Sequence, residues 1–330
     1  INALQASPLP LTAPPIRSWI LRTSATSVLI IIHTHHICFD GWTTALLSDA
    51  IRSYYEDDIG PSDIKPYSLA AAEAYSWLEG TQGREQLARL RSLFKGAPLP
   101  VRPRPDRNGN DAERAAHKVN STLSPQAVER MRGKAAANGV TLFTAMMAAF
   151  ARLLSEFSGE YDLIFGTTSS GRMASGADRT VGVFVNPLPV RIKLDAENMQ
   201  RSALTAAREA TFMIQAGMRF PITELVEHVD PFTQRELNDA FTSYFLYQNF
   251  KKPSKWKGIE YEIGEPEDNT ENSDLMPFVS KEEILMRHLE LIVFERDDGS
   301  LSLNLWGRKG LYSSAWLQAI LERYKWLADE

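Results

Sequence analysis

Apolar and polar positions along the chain alternate between two periods. Arg17 to Arg22 and Ser27 to His33 read as two strands joined by the turn Thr23-Ser24-Ala25-Thr26. The second holds Val28-Leu29-Ile30-Ile31-Ile32, an unbroken β-branched and aliphatic run of the kind a strand buried on both faces shows. Helical spacing follows over Thr43 to Tyr55, Tyr67 to Leu78 and Thr81 to Phe94. Pro98, Pro100, Pro103, Pro105 and Asn108-Gly109-Asn110 then break the pattern and predict a linker. Beyond it Ser124-Pro125 opens a helix that Asn138-Gly139 closes, and Thr141 opens an apolar helix from Leu142 to Phe157. Tyr161 to Phe165 reads as a strand running into Gly166-Thr167-Thr168-Ser169-Ser170-Gly171-Arg172. A strand from Val183 to Ile192, a helix from Glu197 to Met218 and a strand from Phe241 to Gln248 come next. Lys251 to Met276 reads as a long loop carrying a short strand at Ile259 to Ile263. Met286 to Arg296 and Leu301 to Trp306 form a hairpin about Asp297-Asp298-Gly299, and a helix from Ser313 to Leu327 ends the chain. Strands and helices intermix, so the class is α/β or mixed α+β.

Composition narrows the function classes. A chain of 330 residues fits about two domains. Basic residues number 36 and acidic ones 41, a net charge of −5, the opposite balance to a nucleic-acid binder or a basic membrane binder. Cys38 is the one cysteine, so no internal disulfide forms and a cytoplasmic setting fits. No apolar run approaches the ~18 residues of a membrane span. The first twenty residues lack the basic and apolar regions of a signal peptide, and a start at Ile1 suits a piece of a larger polypeptide.

Candidate chemistry collects where the β-branched run ends, at His33-Thr34-His35-His36-Ile37-Cys38-Phe39-Asp40-Gly41-Trp42. Strand ends of this kind carry reactive groups in α/β enzymes, and Gly41 permits close backbone approach. Side chains alternate along a strand, so His35 and His36 point to opposite faces and only one meets a substrate channel. His33, His35 and Asp40 as metal ligands, Cys38 as a nucleophile, and satisfied core histidines are the competing readings. The remaining histidines show no ligand spacing, nothing electropositive is implied at Cys38, and three core histidines would each need partners. No metal site is expected.

His35 to Trp42 resembles the HHxxxDG signature of nonribosomal peptide synthetase condensation domains. The likeness runs along nearly all of the chain. Gly166 to Arg172 is similar to the family's GTPxxGR segment, departing at Thr168. Val181 to Leu188 resembles IGxFVNTL, with Pro187 for the usual Thr. Phe245 to Asn249 resembles a strand ending in Gln-Asn, and Phe294 to Gly299 a hairpin near the domain's end. The family's two earlier motifs, SxxQ…W and RHxxLRT, do not occur here.

The resemblance implies two chloramphenicol-acetyltransferase-like αβ sandwich subdomains in a V, the first incomplete. They are expected over residues 1–110 and 111–330. It implies an acyltransferase that joins a donor thioester to an acceptor amine. Both arrive on phosphopantetheine arms of partner carrier domains, beside an adenylation domain, with no ATP or metal at the site. Consistent with that, the chain holds no GxxxxGK[ST] or GxGxxG loop. His36 is expected to position the amine first and take its proton second, with Asp40 orienting the loop and Gly41 offering backbone contact. His35, Trp42, Asn186 and Gln248 are expected along the tunnel. In the family an arginine of the second absent motif pairs with the signature aspartate. Asp40 is therefore expected to cap the next helix, with Arg17, Arg22 or Arg172 as substitute partners. The rivals are a non-catalytic platform of the same fold, a CoA-dependent acyltransferase, whose DFGWG motif is absent, and an epimerization domain, which departs at the glycine.

Overall fold

The computed structural model describes residues 9–57, 64–109, 115–172, 177–217, 219–234, 241–249 and 287–330. The predicted loop from Lys251 to Met276 and its short strand lie outside them.

Strands β1 (Ile16–Arg22) and β2 (Val28–Thr34) pair antiparallel in a sheet of their own, from Ile16 opposite Thr34 to Arg22 opposite Val28. Their β-branched content makes them strands, as the pattern predicts. Burial on both faces is not realised: no side chain of either strand is buried, and Ile20 and Val28 are 72% and 57% exposed. An apolar run specifies a strand, whereas its burial depends on other layers, and the described elements do not supply them on either side.

Three helices follow: α1 (Gly41–Asp57), α2 (Tyr67–Glu79) and α3 (Thr81–Phe94). Helix α3 has the predicted bounds and buries Gly83, Gln86, Leu90 and Phe94 along one face, at helical spacing. Leu90 and Phe94 join a core that also holds Ile164, Phe220, Phe232 and Tyr244 from the second half of the chain. The Phe94 and Phe232 rings meet edge to face, centroids 5.2 Å apart. The Pro-rich stretch continues as a strap along that half. Val101 N–H donates to the Ile164 carbonyl, the Thr242 and Ser243 hydroxyls donate to the Val101 carbonyl, and the Tyr312 hydroxyl donates to that of Pro103.

The second half contains β3 (Ala116–Leu123), α4 (Pro125–Ala137), α5 (Leu142–Ser158), β4 (Asp162–Ser169), β5 (Asn186–Lys193), α6 (Met199–Gly217), α7 (Ile222–His228), β6 (Ser243–Gln248), β7 (Leu289–Glu295), β8 (Leu301–Arg308) and α8 (Ser314–Asp329). Its sheet is six-stranded and mixed, in the order β3-β8-β7-β6-β4-β5, with β6 parallel to both β4 and β7. Helices α4, α5, α6 and α8 cover one face and build the main core. Phe150 of α5 stacks on Phe245 and meets Phe165 edge to face. The predicted cap at Ser124 holds, and the predicted starts at Thr141 and Ser313 are capped too: the three side chains accept N–H bonds from Ala127, Thr144 and Trp316. The structure adds β3 and α7, too weakly patterned to be predicted. It also starts β5 at Asn186, after an irregular segment, rather than at Val183. Among the described residues no single helix is long and apolar enough to cross a membrane.

Two tyrosines of the second half make its stability sensitive to alkali. Burial pushes the Tyr324 hydroxyl, which donates to the Met146 carbonyl, well above its ordinary pKa. Burial, helped by the hydrogen bond to Glu295 and the charge of that residue, raises Tyr247. An acid with a raised folded pKa holds its proton more tightly folded than unfolded. Its contribution is complete below the unfolded value of about 10 and is lost as pH rises through the folded value. The urea midpoint is expected to hold steady to about pH 9 and to fall above about pH 10, with a shallower fall in Tyr324→Phe. Equal slopes in the two proteins would contradict this origin.

Candidate functional site

The first site residues sit where β2 gives out. Strand pairing stops at Thr34, His35 stays extended, and His36–Cys38 form a single 3-10 turn. The expected alternation of His35 and His36 across a strand therefore does not apply, because the strand has already ended. His35 is exposed, and its Nδ1 accepts the Ile37 N–H at 3.1 Å, capping the turn. His36 is half-buried, its carbonyl held by the Phe39 N–H. Cys38 is half-buried, with Sγ 3.2 Å from the Thr34 hydroxyl and donating to the His35 carbonyl, so the thiol serves the turn.

Asp40 and Gly41 are both buried, and Gly41 is the first residue of α1. Asp40 occupies the N-cap position. Its Oδ1 accepts the Thr43 N–H at 3.0 Å and the Thr43 hydroxyl at 3.0 Å. The capping expectation is met, and an arginine is present as well. Arg172, 132 positions away and completely buried, donates from Nη2 to the same oxygen at 2.7 Å. Arg17 and Arg22 stay on the exposed hairpin. Oδ2 accepts the Phe184 N–H at 3.0 Å. Both oxygens of the 5% exposed carboxylate thus accept hydrogen bonds.

Arg172 leaves the Gly-rich turn after β4. Gly171 takes the left-handed region there (φ 65°), and a Cβ on it would lie 2.1 Å from the Phe184 carbonyl oxygen. The guanidinium also donates to the carbonyls of Ala177, Thr180 and Gly182 and lies 4.5 Å over the Phe184 ring. Burial lowers the pKa of Arg172, and the Asp40 charge pulls against that shift. Thr43 completes the join: its hydroxyl oxygen, which donates to Asp40, accepts the Gly182 N–H at 3.2 Å and lies 2.9 Å from the Gly182 carbonyl oxygen. Thr43 lies where the capping expectation for Asp40 puts it, whereas Gly182 and Phe184 are site residues that the sequence pattern does not single out. The one signal for Thr43 is its place three residues after a capping aspartate. Gly182 and Phe184 lie inside a segment that carries the family resemblance.

The other expected residues disperse. Half-buried Trp42 donates its indole N–H to the Asp178 carbonyl at 3.0 Å and lies 5.9 Å from the Arg172 guanidinium, beside the cluster. Asn186 opens β5 and donates to the Phe220 carbonyl at 2.6 Å. Gln248 ends β6, 6% exposed, with no hydrogen-bond partner for Oε1 among the described residues. The turn after β2 and the segments on either side of Met173 to Gly176 are thereby fastened by a charge pair and backbone hydrogen bonds. His36 stands four residues from that fastening.

The fold and this joined signature define a class, and the model of the condensation-domain family matches residues 1–329. The chain belongs to the condensation-domain family. Among curated relatives it is 29% identical over 259 residues to a linear gramicidin synthase of Brevibacillus parabrevis, and 25% identical over 260 residues to bacitracin synthase 1 of Bacillus licheniformis. Those alignments cover 74% and 77% of this chain but 5% of each relative, so the chain spans a small part of the proteins it matches. Among solved structures it is similar to VibH, an NRPS condensation enzyme, with a TM-score of 0.76 and 19% identity over 99% of this chain and 73% of that one. The first condensation domain of the calcium-dependent antibiotic synthetase in complex with a substrate analogue gives 0.70 and 19%, over 100% and 70%. These likenesses establish the condensation-domain fold expected from the sequence.

Proposed function

We propose that the chain is a condensation domain of a nonribosomal peptide synthetase, forming an amide between a donor acyl or peptidyl thioester and an acceptor aminoacyl thioester. The observation that carries this reading is the intact signature held in place by the buried Asp40–Arg172 pair. Residues 1–110 form the first, incomplete subdomain and residues 111–330 the second. The bare faces of the β1–β2 hairpin support that incompleteness. The thioesters hang from phosphopantetheine arms of two carrier domains in a cytoplasmic assembly that includes an adenylation domain.

The acceptor amine has a pKa near 7.7–8.0, so having it neutral at pH 7 costs only about 1 kcal/mol. The large contribution is holding it against the thioester carbonyl, where positioning supplies several kcal/mol. His36 orients the amine and accepts the proton released as the C–N bond forms and the thiolate leaves. Asp40 holds the turn and takes no part in proton transfer, because its oxygens are already engaged by Thr43, Arg172 and Phe184. Gly41, at the first helical position with no intrahelical acceptor for its N–H, supplies backbone contact to the reacting thioester. The exposed His35, and Trp42 beside the buried pair, line the approach, whereas no described contact brings Asn186 or Gln248 to His36.

The test is intact mass. With the complete domain, a donor-loaded carrier and an aminoacyl-loaded carrier, the acceptor carrier is expected to gain the mass of the donor acyl group. A folded domain that leaves both carriers unchanged would favour a non-catalytic platform. Transfer from a CoA thioester to a free amine, with no need of either carrier, would favour the related acyltransferases.

A further inference from the structure

Tyr67, the first residue of α2, reaches across to the irregular segment before β5. Its hydroxyl donates to the Val183 carbonyl at 3.1 Å. Its ring meets the Phe184 ring edge to face, centroids 5.2 Å apart. Its flank fills the space where Gly182 lacks a side chain: a Cβ on that glycine, at φ 151°, would lie 2.2 Å from the tyrosine ring. Three successive residues of one segment are thus held by Tyr67.

Two of those residues also hold the buried pair. Gly182 donates its N–H to the Thr43 hydroxyl and its carbonyl accepts from Arg172. Phe184 gives its N–H to Asp40 and its ring face to the Arg172 guanidinium. The Phe184 N–H is the one donor on Asp40 Oδ2 among the described residues. Burial, then the Asp40 charge, raise the pKa of the Tyr67 hydroxyl against the pull of Arg172.

We propose that Tyr67 is a positioning residue, clamping Gly182 to Phe184 onto the Asp40–Arg172 pair and so fixing the turn that carries His36. Its kinetic consequence rests on the condensation reading, while its structural consequence does not. The clamp works from outside the buried pair, through the backbone of the segment that Tyr67 and the pair share. A side chain that only filled space would be served equally well by phenylalanine. The hydroxyl bond to Val183 is what separates the two roles.

The experiment is a double-mutant cycle in urea denaturation with Tyr67→Phe and Asp40→Asn, followed by steady-state condensation kinetics of Tyr67→Phe in the complete domain. Independent sites add to within about twofold in the unfolding equilibrium constant. The clamp predicts non-additivity of about fivefold or more. In kinetics it predicts about a fivefold fall in kcat with acceptor KM within twofold, and no loss of the folding transition. Additive denaturation effects overturn the proposal. So do unchanged kcat and KM in a wild-type domain that is active. Should the wild-type domain form no amide, the condensation reading fails, and the cycle alone decides whether the clamp exists. Should Asp40→Asn not fold, Thr43→Ser replaces it, since it keeps the hydroxyl while loosening the same network.

Discussion

His36→Ala is expected to lower the single-turnover rate of amide formation by about a hundredfold or more, within the range that a positioned acid–base group supplies. The amine is nearly neutral at working pH, so most of the loss comes from misplacing it rather than from an absent base. Stability should change little. His36 is half-buried in a one-turn element, outside the Asp40 network, and substitutions away from buried features stay within about 0.5 kcal/mol. A rate fall together with an unchanged urea midpoint is the combination that marks a reactive group. An unchanged rate would remove His36 from the chemistry and leave His35, whose Nδ1 is already committed to the Ile37 N–H.

Arg172→Ala should do the reverse and act on the fold. Arg172 is completely buried and donates to Asp40, to the Thr43 hydroxyl and to the carbonyls of Ala177, Thr180 and Gly182. Removing it strands a buried carboxylate and three carbonyls. Breaking such a pair from one side costs about 3–5 kcal/mol, mainly because the surviving charge is left without its partner. Arg172→Lys restores the charge but not the planar fork that reaches several acceptors at once, so it should recover only part of the loss. Urea denaturation reads both variants. A midpoint unchanged in Arg172→Ala would show that the pair is incidental.

Local signals in the sequence carry much of this structure. Helix α3 is readable to the residue because its apolar period is regular and a glycine precedes it. The helices after Ser124 and Thr141 are readable from their caps. Interactions between distant segments are less readable. The run from Val28 to Ile32 states that a strand forms, yet nothing in it states what packs above or below, so the expected burial on both faces does not follow from it. Opposite faces for His35 and His36 assume that pairing continues. The ladder ends at Thr34 opposite Ile16, and after one further bond from the His35 N–H to the Pro15 carbonyl the chain enters the 3-10 turn. The cap on Asp40 is readable, being a relation over three residues. Arg172 is one candidate among three, and its selection depends on how the Gly-rich turn and the segment before β5 fold back against α1. Gly182, Phe184 and Tyr67 act through backbone atoms, a hydroxyl and aromatic rings, and no local spacing pairs them with Asp40.

The central structural claim is that Asp40 anchors the site through Arg172 and does not itself react. A double-mutant cycle on Asp40→Asn and Arg172→Gln, read by urea denaturation, tests it most directly. Each single variant should be strongly destabilised, and the double variant should be more stable than their sum predicts by about 1–3 kcal/mol, the range seen for residues in one network. Additive losses within about 0.5 kcal/mol would show that the two side chains do not depend on each other, and would contradict the anchor.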